Sequence, residues 1–65
     1  MMIHLNGTAV AVTAPTLSEA LTELGYEGAV VATAVNKAFV PIAKRAVTPI
    51  RDGDAIEIIT PRQGG

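Results

Sequence analysis

Cysteine and tryptophan are absent from this chain, and histidine, tyrosine and phenylalanine occur once each. Without cysteine there is no disulfide to staple the fold and no thiol to act as nucleophile or zinc ligand. A single histidine argues against a structural metal site. Charge is scarce too, with 5 basic and 6 acidic residues and a net charge of −1. A nucleic-acid binder needs a basic patch to displace counterions. Tyr26 and Phe39 alone make a poor platform for stacked bases. No apolar run approaches the roughly 20 residues that cross a bilayer. No basic, then apolar, then small-residue pattern marks the amino terminus. The expectation is a soluble, cytoplasmic protein that contacts neither nucleic acid nor membrane.

What remains is aliphatic. The chain has 65 residues, the size of one domain, and 49% of them are hydrophobic. A domain this small buries only about 60% of the surface its unfolded chain exposes. Stability must come from close packing of Val, Ile, Leu and Ala.

The apolar pattern divides into short elements. Met1, Ile3 and Leu5 alternate with Met2, His4 and Asn6, as in a half-buried strand. Asn6-Gly7 is a strong hairpin signal, because a type I′ turn needs positive φ at both central residues. Thr8 to Val12 returns, so residues 1–13 read as a β-hairpin. Thr16 and Glu19 fit a capping box. Leu17, Ala20, Leu21 and Leu24 then share one helical face. Gly25 suits the left-handed end of that helix, which spans roughly Thr16 to Leu24. Val30 to Val35 is β-branched and reads as a central strand, with Val31, Thr33 and Val35 on one face and Ala32 and Ala34 on the other. Asn36-Lys37 is a turn, and Ala38 to Val40 is a short strand stopped by Pro41. Residues 43–50 read as a loop, with Val47 and Ile50 dipping inward and Pro49 opposing a regular helix. Arg51 to Asp54 is a tight turn. Ala55 to Ile59 is the last strand, with Ile56 and Ile58 inward and Glu57 and Ile59 outward.

One helix and a small sheet are most simply arranged as two layers. The expected core is Ile3, Leu5, Val10, Val12, Leu17, Leu21, Leu24, Val31, Val35, Val40, Ile50, Ile56 and Ile58. The domain is residues 1–60, and residues 61–65 form a flexible tail.

That tail, Pro61-Arg62-Gln63-Gly64-Gly65, is the most informative segment. Glycine lacks a Cβ, so two of them make a thin stalk that passes through a narrow channel. The terminal carboxylate is then unshielded, which suits a protein whose own carboxyl terminus is a substrate. The plain alternative is an ordinary frayed end. Nothing else in the chain offers catalysis. His4 sits on an exposed strand face, and Ser18 lies in a helix without an acid–base partner. Glu19, Glu23 and Glu27 read as a solvated helix face. Asp52 and Asp54 serve their turn, since two carboxylates around Gly53 do not make a calcium site.

Element order and local strings together resemble the ubiquitin-like β-grasp fold, and within it the bacterial thiamine-biosynthesis sulfur carriers, the ThiS family. Ile3-His4-Leu5-Asn6-Gly7 looks like their opening hairpin. Val31-Ala32-Thr33-Ala34-Val35-Asn36, with Phe39-Val40-Pro41, looks like their central strand and crossover. Asp52-Gly53-Asp54-Ala55-Ile56-Glu57-Ile58 resembles their last turn and strand, and Gly64-Gly65 their reactive tail. Two positions depart from the pattern: Ile42 stands where relatives often carry Arg, and the following loop lacks an aromatic. The molybdopterin-synthase small subunit is similar as well, but is usually longer.

The resemblance implies an α+β fold, a mixed four- to five-stranded sheet packed on one helix. It implies a carrier rather than an enzyme, with no cofactor bound. An adenylating enzyme would activate Gly65 with ATP and magnesium. A persulfide donor would then supply sulfur, held as a thiocarboxylate and passed to a thiazole synthase. Gly64 and Arg62 would accompany Gly65 into the partner. Five extended residues reach at most about 16–18 Å. Ala32, Ala34 and Ile59 form an apolar patch suited to partner docking. Sulfur transfer in molybdopterin or another pathway stays open, as does a ubiquitin-like modifier or an interaction module without sulfur chemistry.

Overall fold

The computed structural model describes residues 1–61. Strand β1 spans Met2–Leu5 and β2 spans Thr8–Ala11. Helix α1 follows at Leu17–Glu23. Strands β3 (Ala32–Val35) and β4 (Ala38–Val40) form a second hairpin. A 3₁₀ helix covers Ile42–Val47, and β5 closes the domain at Ala55–Ile59. The strands lie in one sheet in the order β2-β1-β5-β3-β4. Strand β5 runs parallel to β1 and antiparallel to β3, so the last strand in the sequence is the middle one. The sheet is mixed and has five strands, as the expected fold requires.

Local chemistry accounts for the elements. Asn6 and Gly7 take φ of +49° and +86°, the geometry a two-residue I′ hairpin turn demands. The Glu19 N–H donates to the Thr16 hydroxyl oxygen at 3.3 Å, which caps α1. Gly25 ends the helix at φ +91°. The helix presents Leu17, Ala20 and Leu21 to the sheet, and all three are buried. They meet Ile3, Val12, Val31, Val40, Ile50, Ile56 and Ile58 in one cluster. Ala14 belongs to this core as well. Leu5, Val10, Leu24 and Val35 are only partly buried at its margin. Thr33 is the buried polar residue among those described, and its hydroxyl donates to the Val40 carbonyl at 2.9 Å.

Three expectations need correction. The central strand begins at Ala32, and Val30 is 79% exposed, because the ladder with β5 starts at the Ala32–Ile59 pair. Residues 42–47 wind into a 3₁₀ helix rather than a loop. Pro49 lies beyond it, while Pro41 sits at its start, where a missing N–H breaks no bond. Val47 does not dip inward but is 72% exposed. Ile50 does go in. Its N–H donates to the Pro15 carbonyl at 3.0 Å, and the Leu17 N–H donates to the Thr48 carbonyl at 2.9 Å. That pair of bonds draws Ile50 under the helix start, and the 3₁₀ winding leaves Val47 outside.

Candidate functional site

Two asparagine side chains hold the strand that leads to the carboxyl terminus. Main-chain pairing with β1 carries the Asn6 N–H onto the Ile56 carbonyl at 2.9 Å. Beyond that point β1 turns away into its hairpin. The Asn6 carboxamide then continues the ladder: Oδ1 accepts the Ile58 N–H at 2.9 Å and Nδ2 donates to the Ile58 carbonyl at 3.1 Å. At the other end of β5, Asn36 does the equivalent for Ala55. Its N–H donates to the Ala55 carbonyl at 2.7 Å, and its Oδ1 accepts the Ala55 N–H at 2.9 Å. Both asparagines sit at left-handed turn positions, with φ of +49° and +50°. Asn is among the few residues that tolerate this conformation. The hairpin pattern revealed the turns; the reach of the side chains to a distant strand depends on tertiary register.

The outward face of the sheet carries the residues singled out for docking. Ala32 is exposed and pairs with Ile59, which is 63% exposed. Ala34 is half-buried and lies between Glu57 on β5 and Phe39 on β4. Ala32, Ala34 and Ile59 therefore share one face. Phe39 joins them at 68% exposure, a residue the docking reading missed. Strand alternation could have found it, since Val40 points inward and its neighbour must point out. Beside this face Val30, Val31, Ala32, Ile59 and Pro61 line a shallow apolar groove where the described chain ends. A second, mostly apolar concavity on the sheet is lined by His4, Asn6, Gly7, Lys37, Ala55, Ile56 and Glu57. Gly65, Gly64 and Arg62 lie outside the described residues.

Several charged groups serve the fold. Glu23 is not a free solvated side chain. Its carboxylate accepts the Thr13 N–H at 3.0 and 3.1 Å, the Ala14 N–H at 2.9 Å and the Thr13 hydroxyl at 3.2 Å. The Thr13 N–H in particular holds its pKa below the usual carboxylate value. Asp54 works within its turn, accepting the Arg51 N–H at 2.8 Å. Asp52 reaches across to the Met2 N–H at 2.7 Å. Arg45, near the position where Ile42 departs from the family pattern, donates to the Val31 carbonyl at 2.6 Å and to the Thr33 hydroxyl at 3.2 Å. Among the described residues no cluster of three His, Asp or Glu side chains could hold a metal ion. No helix among them is long and apolar enough to cross a membrane.

A helix laid on a five-stranded mixed sheet, with the final strand central and its exit beside an apolar face, defines a ubiquitin-like β-grasp domain. Comparison with solved structures agrees. The crystal structure of a thiamine biosynthesis protein (ThiS) from Geobacter metallireducens superposes with a TM-score of 0.85 at 26% identity, over 100% of both chains. A solution structure of a thiamine biosynthesis protein from the same organism gives 0.79 at 25% identity, over 100% of this chain and 88% of that one. The sulfur carrier protein ThiS of Thermus thermophilus is 36% identical over 64 residues, which cover 98% of this chain and 100% of that protein. A sequence model of the ThiS family matches residues 3–65, and the chain belongs to that family.

Proposed function

We propose that this ThiS-family chain carries sulfur on the carboxyl group of Gly65, for thiazole formation in thiamine biosynthesis. A carboxylate resists nucleophiles, and the α-carboxyl group is ionised at neutral pH, with a pKa of about 3.3–3.7. Activation must come first. An adenylating enzyme joins the Gly65 carboxylate to the AMP portion of ATP and releases pyrophosphate, with magnesium on the enzyme. The terminal sulfur of a persulfide attacks the acyl carbon and AMP leaves. A thiol then cleaves the sulfur–sulfur bond, leaving a thiocarboxylate and a disulfide. A thiazole synthase takes the sulfur. Catalytic groups, ATP and metal belong to the partners, and this chain is their co-substrate in the cytoplasm.

The observation that carries this reading is the placement of β5. The strand is central, gripped at both ends, and releases Thr60-Pro61 beside the Val30–Ile59 groove. Such a body works as a handle. Ala32, Ala34 and Ile59 meet the partner, Arg62 and Gly64 lie along the entry channel, and residues 61–65 act as the tail.

Incubation with the adenylating enzyme, ATP and a persulfide donor should raise the intact mass by the difference between sulfur and oxygen. A chain lacking Gly64 and Gly65 should gain nothing. Absence of any gain in the parent chain, with demonstrably active enzyme, would favour a plain interaction module. Gly65→Ala should load more slowly, since a Cβ crowds a narrow channel.

A further inference from the structure

The hold on Ile58 has a chemical logic beyond stability. A parallel strand continuing past Leu5 would offer Ile58 a carbonyl acceptor and, two residues on, an N–H donor. No single residue's main chain offers both, and the φ of +49° at Asn6 turns the backbone into the hairpin before a second residue could follow β5. Its carboxamide has the same acceptor and donor as a peptide group. It meets Ile58 with both, at 2.9 and 3.1 Å. Ile58 lies two residues before Thr60 and three before Pro61, where the described chain leaves the sheet.

We propose that Asn6 is a positioning residue for the loaded end of the chain: its side chain replaces a missing peptide group of β1 and fixes the point at which β5 releases the tail. This rests on the reading of Gly65 as the loaded group. On the β1 side, the grip extends main-chain order by one step toward the carboxyl terminus. Without it Ile58 has no β1 partner, and the following residues gain freedom that docking must remove again. Ordering one residue's backbone corresponds to a factor of about five or more in an equilibrium constant. The effect falls on recognition of the carrier, not on the chemistry at Gly65.

Loading kinetics of the full-length chain with its adenylating enzyme and ATP test this, at a temperature where every variant is folded by circular dichroism. Asn6→Gly keeps the left-handed turn free of strain and removes the carboxamide. Asn6→Asp keeps the shape but sets a second acceptor against the Ile58 carbonyl. Both should raise KM for the carrier by about fivefold or more with kcat nearly unchanged. Amide exchange should quicken at Ile58. Leu24→Ala, which weakens packing at the helix margin and removes none of the Asn6–Ile58 hydrogen bonds, should leave KM as it was. Parental KM values in both Asn6 variants, or an equal rise in Leu24→Ala, would overturn the positioning role while leaving the carrier reading intact. Failure of the parent chain to load would instead overturn the carrier reading.

Discussion

Asn36 and Ala55 face each other across β3 and β5, joined by one main-chain bond and one carboxamide bond. The same carboxamide donates from Nδ2 to Asp54 Oδ1 at 3.1 Å. One side chain thus ties the β3–β4 turn to the turn that launches β5. Asn36→Ala should lose about 1–3 kcal/mol, from unmade hydrogen bonds and from a Cβ in the left-handed region. Asn36→Gly removes the bonds but relieves the backbone, so it should fall between the parent and Asn36→Ala. Urea unfolding of the three proteins reads the order. Equal stability of parent and Asn36→Gly would show that the carboxamide contributes nothing.

Glu23 gives the fold a pH dependence of known sign. Its folded pKa is depressed, chiefly by the Thr13 N–H. Its contribution is therefore present above the unfolded value, about 4.3, and is lost as pH falls through the lower folded value. Glu23→Gln should be less stable than the parent at neutral pH. The gap should narrow on acidification below about pH 4. Thermal melts from neutral to acid pH measure it, and a gap independent of pH would refute the assignment.

Val47 and Ile50 sit three residues apart with opposite fates. Ile50→Ala should cost about 2–5 kcal/mol by opening a cavity beneath the helix. Val47→Ala should stay within about 0.5 kcal/mol. Chemical denaturation of both variants distinguishes the observed placement from one in which both side chains are buried.

Phe39 and Ile59 test the docking face. Each is exposed, so Phe39→Ser and Ile59→Ser should change stability little. If the face meets the adenylating enzyme, each should raise KM for loading, on the order of tenfold for an anchoring residue. Unchanged KM values in both would move docking to another surface.

Much of the domain was legible in the residues themselves. Asn6-Gly7, the Thr16 cap, the Leu17–Ala20–Leu21 stripe and the Ile56–Ile58 alternation each carry a local physical preference that the packed molecule keeps. The 3₁₀ helix was hidden because Pro49 suggested a break where Pro41 provides a start. Glu23 looked solvated because its partners, Thr13 and Ala14, are distant in sequence and close only after the hairpin folds onto the helix.

Local chemistry sets the five strands and the α-helix, most of the inward residues and the diglycine end, since turn geometry, capping and side-chain alternation act over a few residues. The packed sheet alone puts β5 in the middle, brings Asn6 and Asn36 onto it, and sets Phe39 on one face with Ala34 and Ile59. Those relationships join residues up to 52 positions apart. They exist only once the strands have found their register, because a hydrogen bond spans about 3 Å whatever the separation along the chain.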